Sequence, residues 1–370
     1  MVHDWLPVYG GAERVLEQML QVVPSASLFS LIEFLEDEQR AFLNGRPVAT
    51  SFMQRLPWAR KAYRYYLPLA PLAIEQFDLR AYDVVVSSSY VVAKGVLTTA
   101  EQLHVSYVHS PVRYAWDLYF QYLKDGQAER GLKGLMARLV LHYLRLFDAS
   151  SASRVDVFVA NSKYVARRIW KTYRREAEVI YPPVDTDAFS LYEHKEDYYL
   201  TLSRLVPYKR IDLIVEAFSQ MPDKTLVVIG DGPEAARLRD LAGPNIIFKG
   251  YQSQEVVHDH MQRARAFVFA AHEDFGIVPV EAQACGTPVI AYGRGGARET
   301  VLDGETGLFF HEQSADALQD AVQRFEAQRG AWEPGRIRDH ALSFSVDRFR
   351  SAFAALLERE YASFLSTQHA

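Results

Sequence analysis

The sequence predicts two α/β domains, each a Rossmann-like fold built on a parallel sheet. Its 370 residues exceed what one ordinary hydrophobic core holds and favour two domains of roughly 150 to 200 residues each. Short apolar runs alternate with helical patterns along the whole chain, as expected for βαβ units. A proline pair within residues 179–187 marks a place near the middle where regular structure ends.

The predicted strands are runs of β-branched and aromatic residues bounded by turn residues. In the first half of the chain they are Tyr82–Ser87, His104–Val108 and Val155–Ala160. In the second half, where the spacing is more regular, they are Tyr198–Leu202, Thr225–Ile229, Ile246–Lys249, Ala266–Ala270 and Pro288–Tyr292. Helical patterns such as Ile211–Gln220 and Pro233–Ala242 separate them.

These elements place the first domain at residues 1–185, the second at 186–345 and a terminal helix at 346–370. The crossing follows the stretch VIYPPVDTD, whose two prolines stiffen the backbone. In the last stretch, apolar residues at helical spacing predict an amphipathic helix over Val346–Phe364. They are Phe349, Phe353, Leu356, Leu357 and Tyr361.

Composition and charge exclude several classes of protein. Hydrophobic residues make up 49% and charged residues 24%, as in globular proteins. The net charge of −5 divides into +3 for residues 1–185 (22 basic, 19 acidic) and −8 for the rest, which does not indicate a nucleic-acid partner. The single cysteine, Cys285, excludes an intramolecular disulfide and lies in a predicted buried helix, which favours a packing role.

Hydropathy predicts where the protein acts. No apolar run approaches the ~20 residues of a membrane span, and the beginning lacks the charged and apolar regions of a signal peptide. We therefore expect a cytoplasmic protein, with peripheral contact at the inner face of the plasma membrane as a further expectation.

The most informative stretch is AHEDFGIVPVEAQACGTP, residues 271–288. Glu273 lies in a loop after an apolar strand, and Glu281 lies inside the short helix that follows. Gly276 allows close backbone approach, and Pro279 suits a first helical turn, where free amides form an anion site. Carboxylates accept hydrogen bonds from hydroxyl groups, so this spacing separates two carboxylates that can bind sugar hydroxyls from backbone amides that can bind a phosphate. Taken alone, a surface loop with two solvated glutamates explains the stretch equally well.

Two features of the first half fit a ligand site. Gly10 and Gly11 precede an apolar helical face and let backbone amides approach a ligand, although a tight turn alone would also require glycine. His109 follows a strand, where a loop side chain reaches the cleft of an α/β fold. A structural His that caps local backbone is the alternative for His109.

These stretches together resemble a known family. Glu273, seven residues and Glu281, followed by GTPVIAYGRGGARETV, resemble the signature of the retaining GT-B glycosyltransferases of family 4. HDW, GGAERV, HSPVRYAWD and SRLVPYKRID extend the resemblance over almost the whole chain and are most similar to bacterial mannosyltransferases of surface-polysaccharide (O-antigen or exopolysaccharide) assembly. The resemblance implies a GT-B fold: two Rossmann-like domains with parallel sheets facing across a cleft. The first would bind the acceptor and the second the nucleotide sugar, with the terminal helix packing back on the first.

The resemblance also implies residue roles. Glu281 would hold the nucleotide ribose, Glu273 the sugar hydroxyls, and Arg204 with Lys209 the departing diphosphate, since fixed cations offset the charge of a leaving group. His109 would contact the donor sugar or the reacting centre. The expected catalytic set is Glu273, His109, Arg204 and Lys209. The expected donor-binding set is Gly10, Gly11, Arg204, Lys209, Gly230, Gly232, Tyr251, Glu273, Phe275, Gly276, Ile277, Val278 and Glu281.

Further expectations follow from the resemblance. The donor would be GDP-mannose, the acceptor lipid-linked or a polysaccharide, and transfer would retain configuration with no metal, no cofactor and no covalent enzyme intermediate. Asp185 and Asp187 lie in the domain crossing and are not expected to bind metal. Only Met1 and Val2 precede HDW. Because relatives carry a longer first strand, the resemblance implies that this chain starts late and lacks most of a central strand.

Two basic segments are candidates for an anionic membrane surface. Residues 54–67, QRLPWARKAYRYYL, mix cations with aromatic residues, and residues 163–175 form a second basic group. Ordinary solvated helix faces are the alternative.

Different activities fit less well. A glycoside hydrolase also uses two carboxylates but has no use for a diphosphate cradle. Three further candidates compete with the mannosyltransferase: a UDP-sugar-dependent transferase of the same fold, a sugar-nucleotide epimerase of similar fold and a non-catalytic sugar-nucleotide-binding protein.

Overall fold

The structure is a computed structural model that describes residues 1–126, 128–328 and 330–368. The backbone forms two compact units, Met1–Tyr181 together with the segment from Phe349 onward, and Pro182–Arg348. Each unit contains one sheet whose paired strands all run parallel. The predicted class, two Rossmann-like domains with parallel sheets, is confirmed.

The first unit has a seven-stranded sheet in the order β3-β2-β1-β4-β5-β6-β7. Its strands are β1 (Val2–His3), β2 (Leu28–Ser30), β3 (Val48–Thr50), β4 (Val84–Ser89), β5 (Leu103–Val108), β6 (Val157–Ala160) and β7 (Glu178–Val179). Its α-helices before the terminal helix are α1 (Gly11–Val22), α2 (Ala59–Ala62), α3 (Ala70–Ile74), α4 (Tyr119–Asp125), α5 (Gly131–Ser151) and α6 (Lys163–Tyr173). Although β1 has only two residues, it pairs with both β2 and β4 in the middle of the sheet.

The second unit has a six-stranded sheet in the order β10-β9-β8-β11-β12-β13. Its strands are β8 (Tyr199–Leu202), β9 (Leu226–Ile229), β10 (Ile246–Gly250), β11 (Ala266–Phe269), β12 (Val289–Tyr292) and β13 (Gly307–Phe310). Its helices are α7 (Ile211–Ser219), α8 (Ala235–Leu241), α9 (Gln254–Arg263), α10 (Ile277–Ala284), α11 (Ala297–Thr300), α12 (Ala315–Ala327) and α13 (Pro334–Leu342). This is the strand order of a dinucleotide-binding Rossmann fold.

Buried apolar side chains hold each sheet between its helices. All four residues of β9 and of β11 are buried, because helices cover both faces of a parallel sheet. In the second unit, Phe218 on α7 and Phe325 on α12 share one core with β8 and β11. Burying each such side chain contributes about 1.5–3 kcal/mol.

The last helix, α14 (Val346–Gln368), contributes to the first unit. Phe349, Phe353 and Leu356 are buried in a cluster with Val15 of α1 and Val105 of β5. The apolar spacing recognised in the sequence is therefore the spacing of the buried face. Within the described ranges, no helix combines the length and the apolar character needed to cross a membrane.

Candidate functional site

The topological switch point of the second unit is where its predicted site residues converge. Strands β8 and β11 are neighbours, but the chain runs outward from β8 to β9 on one side and from β11 to β12 on the other. In such a sheet, the loops that follow the two central strands separate and leave a crevice at the carboxyl edge. Arg204 and Lys209 follow β8, and Glu273 follows β11. Topology alone therefore brings these three residues to one edge.

Lys209 and Glu273 form an ion pair at this edge. The Lys209 ammonium donates to the Glu273 carboxylate across 64 residues of chain. Both side chains are 18% exposed, so the pair is partly shielded and yet can be reached from solvent. An ammonium beside a carboxylate can bind an anion through the first group and accept hydrogen bonds from hydroxyl groups through the second.

The cations beside Lys209 have different surroundings. Arg210 has a left-handed backbone with φ of 55°, and its guanidinium donates to Asp212 at 3.2 Å and to Gln313 at 3.4 Å. Its side chain is thus engaged with groups other than Glu273. Arg204 is exposed at the start of the loop.

The predicted glycines after β9 support the Arg204 loop. A Cβ on Gly230 would lie 1.9 Å from the Ser203 carbonyl oxygen, and a Cβ on Gly232 would lie 2.4 Å from that of Leu205. Between them, the Asp231 carbonyl accepts from the Leu205 amide at 2.9 Å. These glycines thus allow the two loops to touch, which is a structural role that does not depend on a ligand. Tyr251, also predicted for donor binding, is largely exposed after β10.

Glycines after β12 support the Glu273 loop in the same way. Gly295 has φ of 64°, and a Cβ there would lie 2.2 Å from the Glu273 carbonyl oxygen. A Cβ on Gly296 would lie 2.3 Å from Phe275 Cα. The Gly296 amide donates to the Glu273 carbonyl at 2.9 Å. Backbone packing therefore fixes the Glu273 loop from behind, and a side chain at either glycine would displace it.

Helix α10 continues directly from this loop. Gly276 is its N-cap with φ of 91°, a left-handed conformation that favours glycine, and Ile277 and Val278 are its first two residues. Glu281 lies one turn further and is buried, unlike the more accessible Glu273. Cys285 ends the helix, and burial raises the pKa of its thiol to about 12, which fits the predicted packing role rather than a nucleophile.

The first unit has its own polar cluster at its switch point, between β1 and β4. A hydrogen-bond chain links His109 Nε2 to Ser88 Oγ at 2.8 Å, Ser88 Oγ to His3 Nδ1 at 2.9 Å and His3 Nε2 to Glu13 Oε1 at 3.2 Å. The other oxygen of Glu13 accepts from the Gly10 amide at 2.9 Å. The predicted residues Gly10 and His109 are therefore connected through three side chains, and Gly11 begins α1 beside them.

Loss of hydration determines the protonation state of His109. Burial, with a smaller effect from His3, lowers the pKa of His109 to about 3. Its ring therefore stays neutral near pH 7, and its Nε2 is held by the Ser88 hydroxyl.

Asp4 stabilises the loop after β4. Its buried carboxylate accepts four backbone N–H bonds of 2.6 to 2.8 Å from residues 90–93. Burial raises the pKa of Asp4, while these donors and His3 act in the opposite direction. The aspartate of HDW thus holds the backbone of the loop after β4 in place.

Part of the HSPVRYAWD stretch packs on a second buried charge. Trp116 Nε1 donates to Asp148 at 2.7 Å, and Asp148 also pairs with Lys94. Asp117 pairs with Arg168 at 2.6 Å. Trp116 and Asp117 therefore have structural partners within the first unit.

Sequence reasoning missed His3, Ser88 and Glu13 as members of a site. Their contacts join residues up to 85 positions apart, which no local pattern reveals. The local signals were the motifs HDW and GGAERV, which contain His3 and Glu13, and the position of Glu13 three residues after Gly10, from which an N3 carboxylate caps a helix start.

Comparison with protein families identifies both halves of the chain. Residues 9–188 match the model of Glycosyltransferase Family 4, and residues 185–338 match that of Glycosyl transferases group 1. Two Rossmann-like units with these matches have the GT-B fold. The chain therefore combines a Glycosyltransferase Family 4 domain with a Glycosyl transferases group 1 domain.

One curated relative and two solved structures are among the similar proteins. The chain is 34% identical over 201 residues to the GDP-mannose-dependent alpha-(1-6)-phosphatidylinositol monomannoside mannosyltransferase of Mycolicibacterium smegmatis, covering 45% of this chain and 52% of that enzyme. The chain spans about half the length of the curated relatives it matches.

The solved structures share the fold at low identity. HepE of Anabaena, in complex with UDP-glucose, has a TM-score of 0.70 at 18% identity, covering 97% of this chain and 98% of that one. Sucrose-phosphate synthase of Thermosynechococcus elongatus has a TM-score of 0.73 at 18% identity, covering 98% and 99%.

Proposed function

We propose that this protein transfers a hexose, mannose from GDP-mannose, to a lipid-linked or polysaccharide acceptor with retention of configuration. The observation that carries the proposal is the Lys209–Glu273 pair at the switch point of the second sheet. A glycoside hydrolase has no need of a lysine placed against its sugar-binding carboxylate. A transferase needs both groups, because its leaving group is an anionic diphosphate.

In the proposed reaction, each group has a separate task. Arg204 and Lys209 bind the diphosphate, Glu273 accepts hydrogen bonds from the sugar hydroxyls, and Glu281 accepts from the ribose. The bond from the anomeric carbon to the phosphate oxygen breaks while the bond to the acceptor oxygen forms on the same face of the sugar. The acceptor's proton passes to the departing phosphate, so no side-chain nucleophile is required. Catalysis then rests on positioning and electrostatics.

In this mechanism His109 acts as a neutral group at the donor sugar. A pKa of about 3 leaves it uncharged at physiological pH, so it offers a hydrogen bond rather than a proton. We also propose that the reaction uses no metal ion or cofactor, so that activity survives a chelator.

The choice of GDP-mannose rests on the family resemblance and on the name of the mycobacterial relative. The decisive experiment offers a panel of radiolabelled nucleotide sugars, GDP-mannose and UDP-hexoses among them, with a bacterial membrane lipid extract. Label from GDP-mannose should enter the lipid fraction. Label from a UDP-hexose instead would replace the donor but keep the class of reaction.

Three other results would replace the class itself. Hydrolysis of a simple glycoside without nucleotide would indicate a hydrolase. Release of free sugar or an epimer without an acceptor would indicate an epimerase. Unchanged cellular function in Glu273→Ala would indicate a binding protein.

We place the protein in the cytoplasm, in peripheral contact with the inner face of the plasma membrane. Within residues 54–67, Trp58, Arg60, Lys61, Arg64 and Tyr65 are all exposed, which supports this placement. The second basic segment lies largely on α6, where Trp170 is exposed.

A further inference from the structure

Helix α5 presents an apolar face to solvent. Its exposed large apolar residues are spaced 3, 1, 3, 4 and 3 positions apart, so they form one stripe along the helix. Their exposure ranges from 44% to 75%. We call this stripe the α5 apolar face; its members are Leu132, Leu135, Met136, Leu139, Tyr143 and Leu146.

The position of α5 is fixed by its opposite side. Leu144, Phe147, Asp148 and Ser151 are buried, and Asp148 pairs with the buried Lys94. An amphipathic helix usually turns its apolar stripe to the core, whereas α5 is held by other residues and leaves its stripe outside. A continuous exposed apolar patch of this kind marks an interaction site.

The charges around the stripe indicate its partner. Lys133 and Arg138 are exposed on α5, whereas Arg145 is half-buried and donates to the Ala115 carbonyl at 2.9 Å. The one carboxylate of the helix, Asp148, is buried and paired. An apolar face bordered by cations alone matches an anionic lipid surface, which offers acyl chains beneath negative headgroups. A symmetric dimer through this face would bring the cations of both copies into one interface in which α5 offers no free carboxylate to pair with them, which is unfavourable.

Neighbouring elements extend the surface. Phe147 shares a core cluster with Tyr63, Tyr66 and Leu67, so the basic and aromatic segment 54–67 lies against α5. Within that segment Trp58 and Tyr65 are more than four-fifths exposed. Such aromatic side chains favour the boundary between headgroups and acyl chains.

We propose that the α5 apolar face inserts into the interfacial layer of an anionic membrane, with α5 lying in the membrane plane and residues 54–67 contacting the headgroups. The helix is about 31 Å long at ~1.5 Å per residue, so it lies along the surface over several lipids. The proposal extends the membrane contact proposed above and requires neither a donor nor transfer.

The test measures co-sedimentation of the full chain with lipid vesicles in the absence of donor and acceptor. Vesicles of phosphatidylcholine mixed equally with phosphatidylglycerol should bind the protein, vesicles of phosphatidylcholine alone should bind it weakly, and salt should weaken the first binding. The double variant Leu135→Gln, Leu139→Gln should lose about tenfold in vesicle affinity for each leucine. Leu241→Gln, on the exposed side of α8 in the other unit, is the matched control and should bind like the native protein.

Two outcomes would overturn the proposal. One is native binding by the double variant, which would leave the basic segment as the sole contact. The other is a native dimer in light scattering that the double variant converts to monomer without any vesicle binding, which would identify a second copy as the partner. Circular dichroism and thermal unfolding confirm that the variant is folded. Because transfer plays no part in the assay, a failed transfer experiment leaves its result unchanged.

Discussion

Replacing Lys209 by methionine removes one charge from the candidate site and keeps most of the side-chain volume. In the resting protein the lysine pairs with Glu273, and both side chains are 18% exposed. An ion pair that is partly shielded and still reached by solvent contributes on the order of 1 kcal/mol to stability, so Lys209→Met should lower the unfolding temperature by only a few degrees. Against a departing diphosphate the same ammonium would act on charge that grows in the transition state. Loss of one such group costs about 2.7–4 kcal/mol, or roughly 100- to 1,000-fold in kcat.

The assay compares initial rates of sugar transfer at saturating donor, with donor affinity measured separately by calorimetry. Arg210→Met is the matched control, because Arg210 is the next cation in the chain and its guanidinium binds Asp212 and Gln313. It should keep kcat within about threefold of the native value, since it makes no contact in the proposed reaction. Lys209→Arg should recover only part of the rate, because a planar guanidinium does not replace a compact ammonium. A native kcat in Lys209→Met, or an equal loss in Arg210→Met, would refute the assigned role.

Three further changes test the supporting structure. Gly296→Ala would place a Cβ 2.3 Å from Phe275 Cα, so the Glu273 loop would have to move. A loop shift of ~1 Å should lower kcat about a hundredfold. Gly335→Ala is the control, because a Cβ there has nothing within 4 Å, and its steady-state rates should be native. Burial lowers the pKa of His104 to about 4, so the unfolded chain binds a proton between pH 6.5 and 4 that the folded protein does not. The free energy of unfolding should therefore be about 3 kcal/mol higher above pH 6.5 than below pH 4. Denaturant titrations at several pH values should show, in His104→Gln, a dependence of that free energy on pH that is smaller by one proton across this range. Glu13→Gln should interrupt the hydrogen-bond chain of the first unit. We expect kcat to fall by up to about a hundredfold while the KM for the donor stays nearly native. An unchanged kcat and an unchanged pH–rate profile would count against a positioning role for Glu13.

Five of the six strands of the second sheet were predicted because each contains an apolar run, whereas β13 (Gly307–Phe310) was missed. Tyr198–Leu202 and Ala266–Ala270, for example, differ from the observed β8 and β11 by one residue at one end. The strands that escaped detection in the first unit are short and less apolar: β3 is VAT, β7 is EV, and β2 has three residues. Pairing with neighbours far along the chain decides such strands, and local periodicity does not record that pairing.

The candidate site divides in the same way. The sequence placed Lys209 and Glu273 in one site through the family pattern, but their direct ion pair depends on how two loops meet at the switch point. The contacts of His3 with Ser88 and Glu13 could not be predicted, because β1, β4 and α1 bring these residues together only in the folded unit. The roles of Gly10, Gly11 and His109 at the donor stay a prediction.

The α5 apolar face shows why periodicity alone does not assign a surface. A stripe of leucines at helical spacing has the same pattern whether it faces a core or solvent, and the usual interpretation is a buried face. In this helix a buried ion pair between Asp148 and Lys94 and the burial of Phe147 hold the other side against the unit. Holding a helix by a buried charge is costly unless the charge is well paired, as it is here by Lys94, Trp116 and Tyr173. The polar cluster on one side of α5 thus gives the leucines on the other side a fixed orientation, which an apolar face needs in order to meet a membrane in one geometry.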